Sequence, residues 1–448
     1  KMAVYARGQV FVTDVRPGVK LENPVDQSNM LASIDPRNEW PQLVHDSWRI
    51  YRDFFYDPNL HGVNWDAQLD RALKMVQHAA NREDVEYIIG QMAAELNVGH
   101  AYIWGPGEES RSLGVAVLGC DFAVATDADG NRGVSISKIH SGADWDTDVR
   151  NPLKRPGLDV KEGEFILAVN GVPVDPDLDP YAAFAGLANQ TVGLTLSSKA
   201  VKDEDARDVL VDTLSNDSEL RLRHWIEENR KYVYEQSGGR IGYVYVRNTS
   251  RGGFVDFQRQ FMGQYMMDGL IVDERWNGGG LSPHQMVETL ARQSYQHWAT
   301  RDGESWRTPQ MVHVGPKAML INHAAGSGGD SFPWLFRHLD VGPLIGTRTW
   351  GGLVGLSGNP GLIDGGYNSV PKFAFYDDDG TWAVEGHGVD PDIEVIDDPT
   401  LLARGEDPQL DAAIEWVLAE IEDNPPVKIA PVPPYPNRSG SGIPERDW

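Results

Sequence analysis

Four short apolar runs, Ile241–Val246, Gly269–Asp273, Ala318–Asn322 and Pro343–Gly346, alternate with segments that read as helical, Phe254–Met267, Pro283–Gln293 and Ser331–Leu339. A run that is apolar at consecutive positions has no solvent face, so it suits a strand covered on both sides. Strands of that kind joined by helices make an α/β layer with a largely parallel sheet. Two glycine loops follow these strands. One is Asn277-Gly278-Gly279-Gly280, and the other is Gly326-Ser327-Gly328-Gly329, just before the helix that begins near Ser331. In open α/β sheets ligands sit beyond the carboxyl ends of the strands, so both loops are expected to face one crevice.

The chain has 448 residues, more than one ordinary core accommodates. Residues 1–39 begin with a strand-like stretch, Tyr5–Val12, and continue in a Pro-, Asn- and Asp-rich segment without helical period. A lone strand without a partner hairpin reads as the end of a domain that starts upstream, followed by a linker. Residues 40–104 read as helical: Trp40, Leu43, Val44, Trp48, Tyr51 and Phe55 recur mostly at spacings of three and four. Residues 105–200 change to short strands and turns, residues 201–424 carry the α/β layer, and residues 425–448 form a Pro-rich tail that cannot be helical. The segment Gly157-Leu158-Asp159-Val160-Lys161-Glu162-Gly163-Glu164-Phe165-Ile166-Leu167-Ala168-Val169-Asn170-Gly171 resembles a PDZ domain, with Asn170-Gly171 at a tight hairpin tip. Such domains bind chain ends or extended peptides by strand addition.

The formal charge is −26, which argues against nucleic acid and anionic membrane as partners. No stretch approaches the roughly 20 apolar residues of a membrane span, and no signal peptide is visible, so either a cytoplasmic location is expected or a signal was removed before this numbering begins. The single cysteine, Cys120, allows neither an internal disulfide nor a cysteine-based metal cluster and reads as a small buried residue. The carboxylates of Asp390-Pro391-Asp392 read as a turn; no metal and no cofactor are expected.

Small residues around Ser327 let the backbone turn sharply and a substrate carbonyl approach. The Gly328 amide, at a helix N-terminus, would face developing negative charge, and a glycine amide of the other loop would supply a second donor. A nucleophilic serine needs a base. His323, His338, His284 and His100 are the candidates, and the residues alone do not choose among them.

The stretches Gly269–Gly280, Asn322–Asp330, Gly346–Gly352 and Glu385–Asp392, in this order, resemble the tail-specific protease superfamily, most closely its tricorn protease branch. The likeness covers roughly residues 30–425. It implies a helical domain, an inserted PDZ-like β domain and a crotonase/ClpP-like α/β catalytic domain, preceded by a propeller that residues 1–12 would close. It implies a serine peptidase acting on oligopeptides or unfolded chains, assembled as a homo-oligomer, commonly a hexamer, with further peptidases downstream. By resemblance the nucleophile is Ser327, the oxyanion donors are the amides of Gly280 and Gly328, the general base is His100 and the acidic orienting residue is Glu385. Two positions depart from the pattern. The serine expected just before the base is Gly99, and the acidic residue that selects basic side chains falls on Trp298, which makes Trp298 a candidate for an apolar specificity pocket. A Ser–Lys dyad, the alternative within the superfamily, would place its lysine at Gly352, and the neighbouring arginines cannot serve as bases. The readings from other classes are a non-catalytic ligand- or peptide-binding protein on the same scaffold and an acyl-CoA enzyme that uses paired amides.

Overall fold

Asp35 starts the first helix of the computed structural model: its carboxylate accepts the Arg37 N–H at 3.1 Å, and Pro36 opens the helical turn. The structure describes residues 1–31, 33–106, 113–143, 145–146 and 148–436; the closing Arg446-Asp447-Trp448 lies outside them. The described residues group into two compact units. One is drawn from 1–97, 101–107 and 356–372, the other from 98–100, 108–355 and 373–448.

In the first unit, Met2–Ala6 and Gln9–Thr13 form an antiparallel hairpin. This corrects the expectation of a lone strand at Tyr5–Val12. Arg7 and Gly8 both have positive φ (56° and 74°), which folds the chain back where the apolar run looks continuous. Helices α1 (Pro36–Phe54), α2 (Trp65–Val76) and α3 (Arg82–Ala94) bury Leu43, Val44, Tyr51, Trp65 and Ile89. A capping box between Asn81 and Asp84 starts α3. Residues 356–372, which the sequence groups with the α/β region, pack here instead. Asp364 accepts Arg82 Nε at 2.6 Å, and the Asn368 amide donates to Ser47 Oγ at 2.7 Å.

The second unit holds two large sheets. The first is antiparallel, in the order β1 (Cys120–Thr126), β2 (Arg132–Ile139), β3 (Phe165–Val169), β4 (Thr191–Ser197), β5 (Arg207–Asp212). Its core includes Leu118, Ile136, Phe184 and Leu194. Asn170 and Gly171, with φ of 50° and 78°, turn the chain after β3. Cys120 is buried here, and burial pushes its thiol up to about 12, so it is unreactive near neutrality.

The second sheet is parallel throughout and runs in chain order: β6 (Ile241–Tyr245), β7 (Gly269–Asp273), β8 (Lys317–Ile321), β9 (Leu344–Gly346), β10 (Ile393–Glu394). Every residue of β6 to β9 is buried, as expected for a parallel sheet covered on both faces. Helices α4 (Ser218–Gln236) and α8 (Pro408–Asp423) cover one face through Ile226, Val233, Leu410 and Val417. The crossover helices α5 (Arg251–Met262), α6 (Pro283–Leu290) and α7 (Gly328–His338) cover the other through Phe257, Phe261, Met286, Phe332 and Phe336. Beyond the carboxyl end of β7, Arg275 is fully buried between two carboxylates, with Nη2 2.7 Å from Asp273 and 2.8 Å from Asp407. Each partner satisfies charge that burial would otherwise penalise heavily.

Candidate active site

The two glycine loops meet at the carboxyl ends of β7 and β8. Asn277, fully buried, holds them together: its Oδ1 accepts the Gly279 N–H at 2.9 Å and its carbonyl accepts the Gly326 N–H at 3.0 Å. Gly279 and Gly280 have φ of 83° and 141°, conformations that favour glycine. Space also demands glycine. A β-carbon on Gly279 would lie 2.7 Å from Ser327 Cβ, and one on Gly328 would overlap the Gly280 carbonyl and Thr249 Oγ1. Among the described residues neither the Gly280 nor the Gly328 amide donates to a protein acceptor.

Ser327 is the residue before α7 and has φ 59° and ψ −116°, a strained turn for a residue with a side chain. Asp330, three residues on, holds it. The buried Asp330 carboxylate accepts the Ser327 N–H at 2.7 Å, Thr349 Oγ1 at 2.6 Å and the Gly351 N–H at 2.7 Å. Burial raises the Asp330 pKa and these donors oppose the rise. Glu274 is also fully buried. Burial, with the negative charges of Asp330 and Asp273, lifts its pKa well above the ordinary carboxyl value, which favours the protonated form.

Glu385 is fixed by two backbone amides. Oε1 accepts the Gly99 N–H at 2.7 Å and Oε2 accepts the Leu353 N–H at 2.6 Å. The next residue, His100, has φ 56°, and its ring meets Trp350 edge-on at 5.4 Å between centroids. Burial lowers the His100 pKa, which favours the neutral imidazole. Trp350 also lies against the nucleophile turn: its backbone N–H donates to the Ala325 carbonyl at 2.8 Å, and a β-carbon on Gly326 would come 2.5 Å from its ring. The 99–100 segment and the Gly326-Ser327 turn therefore share one tryptophan.

Of the other histidines, His323 is 75% exposed and lies 3.9 Å from Asp397. His338 stacks on Trp334. His284 lines the cavity that opens at Ser327. That cavity, about 250 Å³, is bounded by Gly280, Ser327 and Gly328 on one side and by apolar residues including Leu353, Val354 and Phe373 on the other. Trp298 is not among its lining residues. It is 47% exposed on a hairpin, stacked on Trp306, with its indole N–H donating to Thr308 Oγ1 at 2.7 Å. Pairing of Gln296–Trp298 with Trp306–Thr308 draws the tryptophan into its own hairpin. Asp390 is paired with Arg348 at 2.6 Å and His387 at 2.7 Å, and Asp392 with Arg337 at 2.8 Å.

Sequence reasoning missed Asp330, Trp350 and the Leu353 amide. Ser327 followed three residues later by Asp330 is a capping pattern that signals the first. Trp350 and Leu353 act through long-range packing and leave no local pattern.

Three family models match in succession: the tricorn protease C1 domain over residues 36–94, the tricorn protease PDZ domain over 116–216 and peptidase family S41 over 240–395. The α/β region, residues 240–395, resembles peptidase family S41. The S41 match contains both glycine loops, Ser327 and Glu385, and the tricorn models account for the helical and PDZ-like regions. Tricorn protease homolog 1 of Streptomyces coelicolor is 34% identical over 401 residues, which is 90% of this chain and 37% of that protein. The tricorn protease of Thermoplasma volcanium is 32% identical over 400 residues, 89% of this chain and 38% of that protein. The crystal structure of a tricorn protease superposes with a TM-score of 0.83 at 30% identity, covering 89% of this chain and 38% of the other. The chain thus spans little more than a third of the length of these relatives.

Proposed function

We propose that this chain carries the catalytic region of a tricorn-like serine peptidase that cleaves oligopeptides or unfolded polypeptide through an acyl-enzyme. The observation that carries the reading is the strained Ser327 turn beside two glycine amides without protein acceptors. Ser327 Oγ attacks the scissile carbonyl carbon while His100 takes its proton. The carbonyl oxygen becomes an oxyanion bound by the Gly280 and Gly328 amides. The C–N bond then breaks as His100 returns the proton to the leaving amine, and water repeats the sequence to release the acyl group. A neutral imidazole is required for the first step, and burial of His100 favours it. Glu385, held by the amides of Gly99 and Leu353, contributes negative charge beside the residue that precedes the base.

His284 is the second candidate base, because it lines the cavity at Ser327. The family resemblance and the Glu385–Gly99 contact favour His100. The oligopeptide substrates, a homo-oligomeric, hexamer-like assembly and downstream peptidases belong to this proposal, as do a cytoplasmic setting and the partition at 39, 104, 200 and 424. No helix among the described residues is long and apolar enough to cross a membrane. The test is covalent labelling by a fluorophosphonate together with peptide hydrolysis, for wild type and Ser327→Ala. Labelling and turnover that both vanish in the variant support the proposal; turnover equal to wild type overturns it.

A further inference from the structure

The cavity at Ser327 has a composition that the proposed reaction leaves unexplained. Its walls include Pro283, Leu335, Leu353, Val354, Phe373 and Phe375, and among the described residues no Asp, Glu, Lys or Arg lines it. Its polar side chains besides Ser327 are His284 and Ser331. In a chain with 66 acidic residues, a cavity beside the nucleophile that contains no carboxylate is selective by its chemistry. At about 250 Å³ it falls below the roughly 300–1,000 Å³ of sites for drug-sized ligands and suits one large side chain.

The location assigns that side chain. Ser327, Gly280 and Gly328 all border the cavity, so a carbonyl attacked by Ser327 and held by the two amides sits at its mouth. The group attached one bond from that carbonyl carbon then points inward. Gly355 fixes the far wall: a β-carbon there would overlap the Phe373 ring, so the ring lies flat against bare backbone. Any side chain at 355 would displace the ring and change the shape of the cavity.

Resting on the peptidase reading above, we propose that this cavity selects substrates with a large apolar side chain, Phe, Leu or Met, on the residue that contributes the attacked carbonyl. A lysine or arginine in that position would lose hydration and find no carboxylate, which disfavours cleavage after basic residues. Phe373 and Gly355 are the specificity-determining pair.

The test uses the whole chain with fluorogenic peptides that differ only at that residue: Phe, Leu, Ala, Lys and Glu. Hydrophobic pockets discriminate by about 10- to 200-fold. The expected kcat/KM for Phe or Leu exceeds that for Ala by such a factor and exceeds those for Lys and Glu by at least as much. Phe373→Ala narrows the Phe-to-Ala ratio about tenfold, and Phe373→Leu restores part of it. Equal rates across the set, or a preference for Lys, overturn the inference. Fluorophosphonate labelling separates the two failures. Labelled enzyme with a flat or basic profile refutes the apolar pocket alone. Enzyme that neither labels nor cleaves refutes the peptidase reading, and the inference falls with it.

Discussion

The Gly99 N–H donates to Glu385 Oε1 at 2.7 Å, linking a backbone amide directly to the acidic residue where the family pattern has a serine side chain. The space beside Gly99 is tight. A β-carbon there would lie 3.0 Å from Gly352 Cα and 3.3 Å from Glu385 Oε1. Gly99→Ala is therefore expected to displace Glu385 and lower kcat/KM roughly tenfold, since overpacking at such distances costs about 1–3 kcal/mol. Steady-state kinetics beside a thermal melt checks this; an unchanged kcat/KM would show that the position of Glu385 is immaterial.

Glu385→Gln should lower kcat/KM by about 10- to 100-fold. It leaves one of the two hydrogen bonds uncharged and sets a donor NH2 against the other N–H, and hydrogen bonds to charged groups are worth about 1.5–3 kcal/mol each. KM should change little, because Glu385 itself does not line the cavity. A loss confined to KM would contradict an orienting role.

The base assignment separates by two variants and a pH profile. His100→Ala should lower kcat by about 10⁴-fold, whereas His284→Ala should leave kcat within about tenfold and shift KM. The reverse pattern would make His284 the base. Protonated imidazole cannot accept the serine proton, so kcat/KM falls at acid pH. Because burial lowers the His100 pKa, that fall should centre below the ordinary histidine value of about 6.5. A midpoint above 6.5 would conflict with a buried base.

Gly280→Ala should lower kcat by about 10²–10³ with the fold intact by circular dichroism, the cost typical of one lost oxyanion donor. The added methyl would overlap Thr249 and the Ser250 amide and push the loop away from Ser327. Activity within tenfold of wild type would remove the Gly280 amide from the mechanism.

His313 predicts acid sensitivity remote from the chemistry. It is 1% exposed, and burial lowers its pKa to about 3. Its stabilising effect is complete above the unfolded value of about 6.5 and is lost as pH falls toward about 3, because the unfolded chain binds a proton that the folded chain refuses. Over that window stability should drop by about 1.4 kcal/mol per pH unit from this residue. Urea midpoints measured from pH 7 to 4 should fall more steeply for wild type than for His313→Gln; parallel slopes would refute the assignment.

The sequence made the parallel sheet legible because β6 to β9 have no solvent side, and that leaves a run of consecutive apolar residues. It made the Ser327 loop legible because a turn that tight leaves glycines. The neighbours of that turn were not legible. Trp350 is brought against Gly326 and His100 by packing between distant segments, which follows no period in the chain. Residues 356–372 look like part of the α/β region by position, yet Asp364 pairs with Arg82, 282 residues away. The setting of Trp298 was not legible either, because counting along the chain cannot see that a hairpin carries a side chain off. The roles of Ser327, His100, Glu385, Gly280 and Gly328 are still the proposal that the variants above address.

Residues 98–100 group with the second unit although the chain on both sides of them, 1–97 and 101–107, belongs to the first. A shortened polypeptide beginning at residue 113 would keep the parallel sheet, Ser327 and both oxyanion glycines but would lack His100. Such a piece should be inert, and turnover restored by adding residues 1–112 in trans would turn this arrangement into a split reporter, with signal only when the two halves reassociate.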